Sequence, residues 1–138
     1  MIKLIVFDLD GVLVDARDLH YDAMNLALAE IASDCVISRD EHLSTYDGLP
    51  TRKKLALLTE NKGLSTELYN DIWKAKQKKT VDIINGMTTD HRMAHILSEL
   101  KKAGYKVYVG SNSVKHTVKM MLLRRGLIEF VDEIFSNE

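Results

Sequence analysis

The sequence predicts an α/β protein: a Rossmann-like parallel sheet core of about three strands, with an inserted α-helical cap. Three observations carry this. An apolar segment, Ile2 to Phe7, breaks off at the acids Asp8 and Asp10. No strand pattern follows between Gly11 and Gly86. After Gly86, helix, strand, helix and strand alternate, the order that crossover connections of a parallel sheet produce.

Met1 to Asp8 reads apolar on both faces, through Ile2, Leu4, Ile5, Val6 and Phe7, as a strand covered by helices on two sides would. Gly11 ends it in a turn. From about Asp15 to Ser33, Leu19, Ala23, Leu26, Ala27 and Ile31 recur at helical spacing. A short helix is expected near Arg39, and Gly48-Leu49-Pro50-Thr51 interrupts the pattern. Thr51 to Asn61 reads as a helix with Gly63 at its C-terminal cap. Ser65 or Thr66 then caps a long helix through Leu68, Ile72, Ala75, Ile83 and Ile84, closed by Gly86.

Thr89 or Asp90 caps the next helix, through Met93, Ile96, Leu97 and Leu100, which stops at Gly104. Lys106 to Val109 alternates as a strand and runs into Gly110-Ser111-Asn112-Ser113. Val114, Val118, Met121 and Leu122 form one more amphipathic helix, ending at Gly126, and Val131 to Phe135 reads as the last strand. The expected organisation is a discontinuous core, residues 1–15 and 87–138, around a helical cap, residues 16–86. There is no internal repeat and no flexible linker.

Composition narrows the class. The chain has 138 residues, 46% apolar and 28% charged, which is globular rather than disordered or fibrous. Nineteen basic and twenty acidic residues leave a net charge of −1, arguing against a nucleic-acid or membrane partner held by bulk electrostatics. A single cysteine, Cys35, excludes an internal disulfide and a cysteine zinc cluster. The first apolar run stops too early for a signal peptide, and none approaches a membrane span. A soluble, cytoplasmic protein is expected.

The chemistry concentrates at two strand ends. Asp8 and Asp10 end an apolar strand, where open α/β sheets place their ligands. Carboxylates there can hold a hard cation such as Mg²⁺, or one can attack a phosphoryl group. The plain alternative is a strand closing in an Asp-Gly turn. Gly110 to Ser113, feeding a helix, offers backbone and side-chain donors to an anion; the alternative is a helix N-cap at Ser113.

Together, Asp8-Leu9-Asp10-Gly11-Val12-Leu13-Val14-Asp15 and Ser111-Asn112-Ser113 resemble the motifs of the haloacid dehalogenase-like hydrolase superfamily. The likeness is to its helical-cap branch, which includes phosphoglycolate phosphatase and beta-phosphoglucomutase, and spans essentially the whole chain. It implies Asp8 as nucleophile and Mg²⁺ ligand. Asp10 would be general acid and then base, with its backbone carbonyl on the metal. Ser111 and Asn112 would hold the phosphoryl group. A second acid two residues after the nucleophile resembles the phosphatase and phosphomutase members rather than the dehalogenases.

Three cap residues are weaker candidates. His20 matches a cap-hinge position, against the reading of a surface histidine. Arg52, in a stretch like the family's specificity loop, would hold a second anionic group of the substrate, against an ordinary helix start. Lys74, Lys76, Lys78 and Lys79 cannot share one helix face, and only Lys76 resembles a cap lysine reaching for substrate. Met120 and Met121 are filler.

The family's Lys-Pro segment and last acidic pair have no counterpart before Glu138, and Lys115 and Lys119 are poor substitutes by position. The resemblance therefore implies a shortened and weakly active or inactive form. The expected activity is hydrolysis of a small phosphorylated metabolite through an aspartyl-phosphate; the alternative is a non-catalytic module that binds a phosphorylated ligand or a partner. A glycosyltransferase fails because only seven residues precede Asp8. An EF-hand fails because Gly11 falls at the fourth loop position and Leu19 stands where a glutamate belongs. With its neighbouring strand missing, Ile2 to Asp8 is expected at a sheet edge, blunted only by Lys3 and covered by the same edge of a second copy in a homodimer.

Overall fold

The computed structural model describes the backbone of all 138 residues and every side chain except that of Arg17. The chain divides into two compact units, residues 1–17 with 83–138, and residues 18–82.

The first unit holds a parallel sheet in the order β1 (Leu4–Asp8), β2 (Lys106–Gly110), β3 (Glu133–Phe135). Helix α5 (His91–Lys102) links β1 to β2, and α6 (Lys115–Arg124) links β2 to β3. Both connections step in the same direction, so right-handed crossovers put both helices on one face. There Val107 and Val109 are buried with Leu97 of α5 and Val118, Met121 and Leu122 of α6.

The opposite face is different. Leu4 is 43% exposed, Val6 59% and Phe135 55%. This corrects the expectation that β1 is covered on both faces. A strand apolar at every position anticipates helices on two sides, whereas both crossovers of this sheet fall on the same side.

The ends of α5 and α6 are tied together. Asp90 caps α5, its Oδ1 accepting from Met93 N–H at 3.0 Å, and its own N–H donates to Arg125 O at 2.9 Å. Arg125 donates through Nη1 to Thr88 O at 2.8 Å. Gly126 follows with φ +70°, and a Cβ there would lie 2.8 Å from Thr89 Cγ2. Asp132 is fixed likewise, its Oδ2 accepting from Lys101 Nζ at 2.5 Å and Val107 N–H at 2.8 Å.

The second unit is helical: α1 (Arg17–Ile31), the short α2 (Arg39–Glu41), α3 (Thr51–Lys62) and α4 (Tyr69–Asn85). Ser38 and Glu41 close a reciprocal capping box at α2. Neither Ser65 nor Thr66 caps α4, because a 3₁₀ turn over Thr66–Leu68 intervenes and α4 begins at Tyr69. Met24, Leu28, Ile37, Tyr46, Leu58 and Ile72 are central to its core.

Replacing Gly126 by alanine forces a β-carbon into both a left-handed backbone and the Thr89 methyl. We expect Gly126→Ala to lower stability by about 1–3 kcal/mol, read as a drop in the urea midpoint at unchanged slope. An unchanged midpoint would show that Thr89 yields freely.

Candidate active site

The carboxyl end of β1 is shaped by one carbonyl. Leu9, fully buried, accepts at its backbone oxygen from the amides of Val12, Leu13 and Val14 at 3.3, 3.1 and 3.0 Å. Gly11 permits this tight loop with φ +79°. Asp8 and Asp10 therefore flank a fixed point. The register pairs Asp8 with Gly110, and Leu9 N–H extends the ladder to Gly110 O at 3.2 Å. Neighbouring strands lie about 4.8 Å apart, so Ser111 leaves β2 beside the acids.

Asp8 is exposed and Asp10 half-buried. Burial, and then the negative charge of Asp8, raise the pKa of Asp10 above the ordinary aspartate value. A carboxyl that holds its proton more tightly next to an exposed carboxylate suits division of labour between proton donor and nucleophile. The pair is also an all-oxygen donor set. It fits Mg²⁺, which needs only one or two protein carboxylates beside phosphate oxygens and water. Among the described residues no group of three or more His, Cys, Asp or Glu could hold a metal.

The turn after β2 offers fewer amides than the sequence suggests. Ser111 N–H donates to Phe135 O at 2.9 Å, within the sheet, and Ser113 N–H donates to Ser111 Oγ at 3.1 Å. The Ser111 hydroxyl, accepting from Ser113, keeps its own hydrogen to donate. Asn112 is exposed. Val114, not Ser113, is the N-cap of α6, without a side-chain bond. The Lys115 amide donates to a Glu138 carboxylate oxygen at 3.2 Å, so this helix N-terminus holds a negative group.

His20, Arg52 and Lys76 belong to the helical unit. Arg52 is exposed; the buried cation of that helical turn is Lys54, which the sequence reading passed over. Lys54 is 5% exposed and Lys76 9%, and Lys76 Nζ donates to Thr51 Oγ1 at 3.0 Å. Burial, and then the charge of Lys54, bring Lys76 down to about 8. Burial also lowers Lys54, and Asp47 acts in the opposite direction. Burial, with Lys76 and Lys54 adding to it, brings His20 down to about 4, so it is neutral at pH 7. A signal for Lys54 was present: it lies four residues before the core Leu58, as Lys76 lies four after Ile72. Lys74 and Lys78 are exposed, and Lys79 pairs with Glu30 at 3.1 Å.

The fold and the acid-bearing strand end define an α/β core with a helical insertion directly after its first strand. The chain belongs to the haloacid dehalogenase-like hydrolase family, whose model matches residues 5–138. Protein CbbY of Cereibacter sphaeroides is 27% identical over 117 residues, 82% of this chain and 51% of that protein. Among solved structures, a predicted phosphoglycolate phosphatase from Haemophilus somnus superposes with a TM-score of 0.83 at 18% identity, over 99% of this chain and 63% of that one. CbbY from Rhodobacter sphaeroides, in complex with xylulose-(1,5)bisphosphate, gives 0.80 at 23% identity, over 99% and 64%. The chain thus spans about half the length of the curated relatives it matches.

The charge of Lys54 adds to burial in lowering Lys76. Between pH 8 and the ordinary lysine value the native state binds fewer protons than the unfolded chain, so Lys76 makes stability rise with pH across that window. Removing the like charge in Lys54→Met should move the Lys76 midpoint upward from about 8, followed by NMR of its side-chain carbons. His20 should stay neutral until about pH 4. A Lys76 midpoint indifferent to Lys54 would refute the coupling.

Proposed function

We propose that this chain carries the phosphoryl-transfer site of an Mg²⁺-dependent phosphatase acting on a small phosphorylated metabolite. The observation that supports the reading is the register of Asp8 with Gly110, which brings the strand end carrying Asp8 and Asp10 next to the strand end that leads into Ser111. An Asp8 oxygen attacks phosphorus, and the leaving oxygen takes the proton that Asp10 retains, giving an acyl phosphate and a free alcohol. Asp10, now ionised, then takes a proton from water, whose oxygen displaces Asp8 and releases inorganic phosphate. Ser111 and Asn112 donate to the phosphoryl oxygens. Mg²⁺, when bound by Asp8 and the Asp10 carbonyl, supplies positive charge against the developing negative charge.

Within the helical unit by itself, the buried Lys54 and Lys76 favour an anionic ligand. Two buried ammonium groups repel each other, and an anion relieves that repulsion. The bisphosphate named for the similar CbbY structure is a ligand of this kind.

Titration with Mg²⁺ and inorganic phosphate should shift the Asp10 and Asn112 amides together. Any Mg²⁺-dependent hydrolysis of an aryl phosphate should fall to the buffer rate in Asp8→Asn and by about 10²–10⁴-fold in Asp10→Asn. Hydrolysis surviving Asp8→Asn would reveal another nucleophile and defeat the mechanism. Shifts confined to residues 18–82 would defeat the site.

A further inference from the structure

His42 is buried within the helical unit with its hydrogen bonding incomplete. It is 2% exposed, and its Nε2 has no hydrogen-bond partner among the described residues. Asp47 Oδ1 stands 3.5 Å from that nitrogen, near enough for an ion pair and about 0.5 Å beyond a good hydrogen bond. The backbone brings the two together. His42 to Tyr46 form a single π-helical turn, closed by the Asp47 N–H donating to His42 O at 2.7 Å. Such turns recur at functional sites. The Asp47 side chain is exposed, so its carboxylate can swing while its amide stays bonded.

The same carboxylate serves a second group. Its charge acts on buried Lys54 of α3 as well as on His42, opposing the effect of burial at each. Burial, and then the charge of Lys54, hold His42 below the ordinary histidine value, so it is neutral at pH 7. Arg39 of α2 acts with Lys54, and Asp18 of α1 acts with Asp47. The Tyr21 ring of α1 packs 4.8 Å from the imidazole.

We propose that Asp47 is an exchangeable counter-ion, displaced from Lys54 onto His42 by an anion arriving at Lys54 and Lys76; this rests on the anionic ligand proposed above. An anion beside Lys54 repels the carboxylate and cancels the attraction that held it there. The rotation that closes the 3.5 Å gap to Nε2 gives it a new partner. The imidazole then takes a proton from solvent, because a close carboxylate favours its charged form and the opposing charge of Lys54 is neutralised. Binding therefore takes up a proton, and by linkage acid strengthens binding. Until it moves, Asp47 competes with the ligand for Lys54.

NMR with inorganic sulfate, whose charge is constant from about pH 5 to about 8, tests this against chloride at equal ionic strength. In the wild-type chain sulfate should shift the Lys54 and Lys76 side-chain carbons and raise the His42 ring midpoint. In Asp47→Asn, at about pH 7, sulfate affinity read at Lys54 should increase about 3–10-fold. The sulfate-induced rise in the His42 midpoint should there shrink by about half or more, since no carboxylate is passed on. Asp47→Ser carries the same expectations if the asparagine variant does not fold. An unmoved His42 midpoint, an equal rise in the variant, or weaker sulfate binding by it overturns the exchange and leaves the anionic ligand standing. Lysine carbons that ignore sulfate in both proteins overturn the anionic ligand and the exchange with it.

Discussion

The parallel pairing of β1 with β2 is the constraint on which the rest of this protein depends. Five register pairs, Leu4 with Lys106 through Asp8 with Gly110, align the two strands so that both end at the same level. The next amide, Leu9 N–H, still belongs to the ladder, and the Leu9 carbonyl then gathers three amides of the following loop. The acids on either side of Leu9 are thereby held by backbone bonds, which side-chain changes nearby do not disturb. A slip of one residue would turn Asp8 to the other face of the sheet and bring Val109 opposite it.

Charge is handled in opposite ways in the two units. At the strand end two carboxylates lie close, and the cost of that proximity appears as a raised proton affinity on the more buried one, Asp10. In the helical unit two lysines lie inside, and their cost appears as a lowered proton affinity on Lys76. A lysine can be buried here because Thr51 accepts a hydrogen bond from it and because its long stem packs among apolar neighbours. Both arrangements are unfavourable by themselves. Under the proposed function, a ligand of opposite charge relieves each of them.

The one-sided sheet has the same logic at larger scale. Two crossovers in the same direction bury Val107, Val109 and Ile134 and leave Leu4 and Val6 facing outward. Strand apolarity records that a face is meant to be covered, without recording by what.

The order of elements, the parallel sheet and the acids at its first strand end were legible in the sequence, because they rest on local periodicity and on where it is broken. Asp90 as the cap of α5 was legible for the same reason: a cap bonds to an amide three residues away. What depends on long-range neighbours was not. Asp132 reads as an edge-strand charge, yet it accepts from Lys101 and Val107 in elements some thirty and twenty-five residues earlier. The Ser111 amide reads as an anion donor and is spent on Phe135. Arg52 reads as the inward cation, while the helix phase that α3 adopts turns Lys54 inward instead. Periodicity fixes which residues share a face; only tertiary packing decides which face is buried, and with it which charges are perturbed enough to act.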